Sequence, residues 1–269
     1  MPTHSKTDES PLVARRRAQL VAAAITQFSR LDYHTATVKD IADEAGVSPG
    51  LIYQYVPDKQ ELLFLALQHI IQRNDAEIPM ALRGVVDPIA RLHRAIDAYA
   101  RVVATSRQAA LLTYREMKSL KREYIERIKD LELGTNELLA ACVEDCIRAG
   151  YLADTHVELL VYRMVIAAQG WALKYWRLKH IVTQDEYLDK AIHALWRSLL
   201  LPRGISRYEE LRRAGELEPL VTPCDSAEAS VKKTEVKKKA AKPDRRRAAG
   251  AAQGGVRTDN QLSDSSGTK

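Results

Sequence analysis

TVKDIADEAGVSPGLIYQYVPDK, residues 37–59, places two short helical segments on either side of a single glycine. Val38, Ile41, Ala42 and Ala45 recur at helical spacing and share one face of the first segment. Gly46 follows, where a sharp turn needs a residue that tolerates positive φ. Val47 is an apolar plug in that turn. Ser48 is an N-cap type, and Pro49 suits the first helical position because its missing N–H is not needed there. Ile52 and Val56 point back toward the first segment. Two short helices, a glycine turn and shared apolar plugs form a helix-turn-helix.

The polar residues of the stretch suit DNA. The N-terminal end of the second helix offers unpaired N–H groups and the positive pole of its dipole to a phosphate or base edge. Gly50 lets the backbone approach closely, and Tyr53, Gln54 and Tyr55 bring hydroxyls and an amide toward a groove. Lys59 opens the next helix where a phosphate could lie. Arg15, Arg16 and Arg17 begin the preceding helix, and a run of three arginines suits contact with the DNA backbone.

The segment resembles the DNA-binding head of the TetR family of bacterial regulators. The matching residues are Thr37-Val38, Ile41-Ala42, Ala45-Gly46-Val47-Ser48, Gly50, Ile52-Tyr53, Asp58-Lys59 and Glu61-Leu62-Leu63, within about residues 13–72. The resemblance implies that Thr37 and Val38 open the first of the two helices against a phosphate. It implies that Ser48, Pro49, Gly50 and Tyr53 approach base edges while Gln54, Tyr55 and Lys59 hold the backbone. Two positions depart from the family pattern. Pro49 stands where a basic or small polar residue is usual, and Val56 where an aromatic is usual.

Outward from the motif the pattern stays helical, with little period-two alternation. A first helix over residues 12–31 carries Leu20, Val21, Ala24, Ile25, Phe28 and Leu31. Asp58 and Glu61 suit a capping box for a helix that ends near Pro79, and Asp87-Pro88 opens another to about residue 105. Residues 107–149 are helical with a break near 117–120, stopping at Gly150. Thr155 with Glu158 opens a helix to about 180, and Thr183 with Glu186 one to about 201. The expectation is an all-α fold of about nine helices: a head at 12–72, a larger helical domain at 73–204 and an unassigned extension at 205–221.

By the resemblance, the last two of these helices, 155–180 and 183–201, pair with a second copy of the chain, and the middle helices enclose a small-molecule effector. Tyr99, Tyr114, Met117, Trp171, Tyr175 and Trp176 are candidate cavity residues, although aromatics and methionine at helical spacing also serve as plain core. Arg115, Lys118, Lys121 and Arg122 form a basic cluster that could attract an anionic ligand such as an acyl-CoA, or simply be a solvated face. The implied function is a dimeric repressor on a near-palindromic double-stranded operator.

The net charge of +6 belongs mostly to one end. Residues 222–269 hold 11 Lys and Arg against 6 Asp and Glu, so the remaining 221 residues are nearly neutral. That end has only Val231, Val236, Val256 and Leu262 as large apolar residues, too few to offset ordering entropy, and reads as a disordered basic tail. Residues 1–11 are polar, read as disordered and carry no secretory h-region. No apolar run spans a bilayer, so a cytoplasmic protein without membrane contact is expected. Cys142 and Cys146 lie four apart without a histidine or third cysteine at ligand spacing, which favours packed thiols over a metal site. No phosphate loop, dinucleotide fingerprint or nucleophile motif is present, so neither an enzyme nor a cofactor is expected. The rival reading is a sequence-nonspecific DNA-coating protein that acts through the basic tail.

Overall fold

A computed structural model describes residues 11–217. The readings of residues 1–11 and 222–269 as disordered lie outside the described residues, except at Pro11, which is helical. Among the described residues the chain is all-α, with one isolated antiparallel bridge between Leu152 and Leu200 and no strand. Among the described residues no helix is long and apolar enough to cross a membrane.

The head comprises α1 (Pro11–Leu31), α2 (Val38–Ala45), α3 (Pro49–Tyr55) and the start of α4 (Lys59–Ala81). Each of the last three begins at a side-chain cap. Thr37 and Asp40 form a reciprocal capping box on α2. Ser48 Oγ accepts from Leu51 N at 3.3 Å on α3, and Asp58 accepts from Glu61 N at 2.8 Å on α4. Only half of the expected capping box on α4 forms, because the Glu61 carboxylate accepts instead from the Tyr124 hydroxyl at 2.6 Å. Gly46 ends α2 at φ +65°, and Val47 N reaches back to Ala42 O at 2.9 Å. Leu20, Ala24, Phe28, Ile41, Ala42, Ile52 and Val56 are buried together. That core continues beyond the head through Leu112, Tyr124 and Ile128.

The larger body packs α5 (Pro88–Thr105), α6 (Arg107–Glu116), α7 (Arg122–Arg148) and α8 (Val157–Leu173) around a second apolar cluster. A 3-10 turn at Met117–Ser119 makes the break between α6 and α7. Cys142 and Cys146 are buried free thiols in this cluster. Burial pushes both thiols up, Cys146 to about 12.

α4 does end near Pro79, with the proline inside its last turn: Leu82 N reaches Ile78 O at 3.1 Å and the helix runs to Ala81. Several other sequence expectations shift. The cap of α8 is His156, whose Nδ1 accepts from Leu159 N at 3.3 Å, one residue after Thr155. The helix expected to reach 180 breaks at Lys174 into α8 and α9 (Tyr175–Leu178). The one expected over 183–201 is α10 (Gln184–Tyr187), a π-helical turn at Leu188–His193 and α11 (Ala194–Arg197). Residues 205–213 of the unassigned extension belong to α12 (Pro202–Arg213), and Leu211 and Leu217 are buried in the larger core.

Candidate DNA interface and ligand cavity

The exposed side of α3 gathers the residues singled out for base contact. Ser48, Pro49 and Gly50 are exposed at its N-terminal end, and Tyr53 and Gln54 are exposed one turn later, Tyr53 at 56%. Ile52 and Val56 hold the opposite face in the core. This asymmetry is what lets a short helix lie in a groove while anchored from behind. Val56 fills its position at 2% exposure without an aromatic ring.

The other candidates divide. Thr37 is exposed, but its hydroxyl is engaged with Asp40 at 2.7 Å. Val38 and Tyr55 are half-buried against the head core. Lys59 Nζ donates to His34 O at 3.4 Å and lies 4.5 Å from the Tyr33 ring centre, and burial lowers its pKa. Arg15 is exposed, whereas Arg16 Nη1 donates to Gln19 at 2.8 Å. Arg17 lines a polar groove with Glu61 and Arg127, so its side chain is directed toward α4 and α7.

A cavity of about 330 Å³ lies among α4, α5, α6, α7 and α8. Tyr99, Tyr114 and Met117 line it. Trp171, Tyr175 and Trp176 are not among its lining residues. Trp171 packs edge-on against Tyr175 with ring centres 5.7 Å apart, and also against Tyr187; Trp176 is exposed at 69%. Periodicity located these aromatics on helices but could not give the direction of each face. Sequence reading also missed the polar lining, Asn74, Glu132 and Gln169. Gln169 joins two tyrosines: its Nε2 donates to Tyr99 Oη at 3.0 Å, and Tyr114 Oη donates to its Oε1.

The basic cluster is largely committed to structure. Arg115 Nη2 donates to Phe28 O at 2.6 Å and its Nε pairs with buried Glu116 at 2.6 Å. Glu116 also accepts from Tyr33 N at 3.4 Å. Lys121 pairs with Asp58, the cap of α4, at 2.9 Å. Lys118 and Arg122 remain exposed. Thus the end of α6 is fastened to α1 and to the turn before α2, while Ala110, Thr113 and Tyr114 of the same helix line the cavity.

A second polar group, invisible at sequence spacing, sits in the larger core. His93 and Asp97 on α5 meet His193 of the π turn, all buried. Trp196 Nε1 donates to His193 Nδ1 at 3.0 Å, which leaves the proton of a neutral His193 on Nε2 to donate to Asp97 at 2.7 Å. His93 Nδ1 lies 3.4 Å from the other Asp97 oxygen. The two imidazoles stack with centres 4.1 Å apart and planes 7° from parallel. An ion in the plane of one ring, about 2 Å from its nitrogen, would lie well out of the plane of the other. Trp196, His193 and Asp97 form a hydrogen-bonded core network on which His93 stacks, and the arrangement does not fit a coordination site.

Residues 20–66 match the family model described as bacterial regulatory proteins, tetR family, and residues 85–198 match a tetracyclin repressor-like C-terminal domain. The chain is 36% identical over 212 residues to the HTH-type transcriptional regulator HbdR of Aromatoleum sp. (strain CIB), covering 79% of this chain and 93% of that protein. The chain belongs to the TetR family. It is a helix-turn-helix, DNA-binding transcriptional regulator of that family, which is not a family of enzymes. Two solved structures share the fold. A tetR-family regulatory protein from Rhodococcus RHA1 has a TM-score of 0.61 at 21% identity, covering 69% of this chain and 97% of that one. AibR in complex with isovaleryl coenzyme A and operator DNA has a TM-score of 0.58 at 14% identity, covering 67% and 98%.

Proposed function

We propose that this TetR-family regulator is a dimeric repressor that leaves a near-palindromic operator when a small molecule enters the α4–α8 cavity. The observation that carries the DNA half is the exposed N-terminal end of α3. Ser48, Pro49, Gly50, Tyr53 and Gln54 face solvent there on a helix whose other side is buried. Arg15 and Arg16, with Thr37, Val38, Tyr55 and Lys59, add backbone contacts around it, whereas Arg17 turns toward α4 and α7. Pairing with a second copy through α8 and the segment after it would set the two α3 helices about 34–36 Å apart, one turn of DNA.

The fastening of α6 supports release by ligand. A ligand that displaces the Thr113–Tyr114 wall moves a helix tied through Arg115 and Glu116 to Phe28 and Tyr33 of the head. Coupling then needs no more than a different preferred α6 position in the two states. An acyl-CoA or other lipid-like molecule fits the mainly apolar cavity, with the acyl group inside. The AibR complex with isovaleryl coenzyme A supports that choice by its shared fold.

Selection of bound genomic fragments tests the reading. A near-palindromic site should emerge, and Tyr53→Ala should weaken binding to it about tenfold or more, with thermal stability unchanged because Tyr53 is exposed. The rival DNA-coating reading is tested by truncation before residue 222. The shortened chain should bind all DNA more weakly and keep its ranking of sequences. Loss of that ranking would reject the head as the source of specificity.

A further inference from the structure

The cavity has unmet acceptors and no cation. Among its polar lining groups, Tyr99, Gln169 and Tyr114 are linked by two hydrogen bonds. Thr135 Oγ1 donates to Asp75 at 2.8 Å, and Ser106 accepts from Arg73. Thr113 Oγ1 donates to Ala109 O at 3.4 Å, and the Asn136 amide and the Tyr162 hydroxyl also line the space. Two acceptors bear on what can enter. Asn74 Oδ1 is buried without a hydrogen-bond partner. The Glu132 carboxyl is half-buried, and loss of water raises its pKa. No Lys, Arg or His is among the described residues that line the cavity.

We propose that the cavity takes an uncharged, largely apolar ligand group that carries at least one O–H or N–H donor, and that it rejects a free carboxylate. This rests on reading the cavity as the effector site. A donor brought to Asn74 Oδ1 recovers a hydrogen bond that the empty protein lacks. A carboxylate entering the same space meets the negative charge of Glu132 and loses its hydration with no cation to compensate. An ammonium group would also lose its hydration, with one half-buried carboxyl as its sole ionic partner. An acid joined through a thioester or amide has shed its charge and meets the first requirement. A hydroxyl along its chain, or the amide N–H itself, meets the second. The cavity therefore separates a conjugated acyl group from its parent acid.

Titration calorimetry of the full chain at pH 7.5 with octan-1-ol, octanoate and octylammonium tests this. The alcohol is expected to bind at one site per chain, octanoate about tenfold or more weakly, and the amine no more tightly than the alcohol. Octanoate equal to the alcohol, or the amine tighter than it, would overturn the inference and leave the cavity as a ligand site. Binding by none of the three would remove the effector-site reading itself, and the inference with it. Glu132→Gln should bring octanoate within a few-fold of the alcohol. Asn74→Leu should weaken the alcohol by about tenfold. Folded variants, checked by thermal unfolding, that keep the wild-type ranking and affinities would also overturn it.

Discussion

At Gly204, an added Cβ would lie 2.1 Å from the Tyr151 carbonyl oxygen, the same oxygen that accepts from Leu201 N at 2.9 Å. The obstacle is backbone, so neither side can yield cheaply. Gly204→Ala should cost about 2 kcal/mol, read as a lower unfolding midpoint in denaturant, with operator affinity kept where the protein is folded. Gly46 is bound by conformation instead, since its φ of +65° is strained for other residues. The two glycines differ in legibility. Gly46 sits inside a local pattern of caps and plugs, while the obstacle at Gly204 comes from a residue 53 positions earlier. The same contrast holds for Glu61. Its place three residues after Asp58 suggested a cap, but Tyr124, 63 residues away, takes its carboxylate.

At the level of elements, α6 carries both the cavity wall and the fastening to the head. Glu116 is 3% exposed and holds Arg115, Ser119 and the Tyr33 N–H. Glu116→Gln removes the charge that Arg115 pairs with. Half of the Arg115 side chain is solvated, which limits the loss to about 1–2 kcal/mol. Chemical denaturation should show that loss, and amide exchange at Tyr33 should quicken. Unchanged exchange there would argue against a fastening role. The segment from α10 to α11 shows how far pattern reading reaches. Its apolar spacing marked a helix, but the π turn inside it accompanies His193 bonding to Asp97 of α5, 96 residues earlier. The break at Lys174 likewise accompanies Arg107 of α6 stacking 3.7 Å from the Tyr175 ring centre, a contact no local spacing reveals.

Over the whole molecule, the buried His93–Asp97–His193 network makes stability depend on pH. Burial and the neighbouring His193 lower the His93 pKa from its ordinary 6.5 to about 4. Above pH 6.5 the imidazole is neutral in both folded and unfolded chains. As pH falls below 6.5 the unfolded chain takes a proton that the folded chain refuses until about pH 4. Stability from this residue is thus complete above 6.5 and lost on the way to 4, an amount of about 3 kcal/mol. Denaturation series at pH 7 and pH 4.5 should show most of that loss, and His93→Asn should flatten it. An equal slope in the variant would assign the effect elsewhere. The outer face of α8 and α9 leaves Leu159, Ile166, Leu173 and Trp176 exposed, a stripe that a second copy would cover. Leu173→Asp should shift the protein from dimer to monomer in light-scattering chromatography and weaken operator binding through loss of the second head.

The sequence by itself determined the helical class, the helix-turn-helix, its capped starts at Ser48 and Asp58, and the family. The caps and the helical period rest on contacts within about five residues, where spacing and residue type are enough. The exposed face of α3 was legible for the same reason, since Ile52 and Val56 had to turn inward. Only the tertiary structure decided that Trp171 is buried against Tyr175 and Tyr187, outside the cavity lining, while Asn74 and Glu132 face a cavity. It alone fastened Arg115 and Lys121 to the head, and it alone brought His93 and His193 together across 100 residues. Those outcomes depend on which helix faces meet. A helical period gives the presence of a face, and the packing of its neighbours gives its direction.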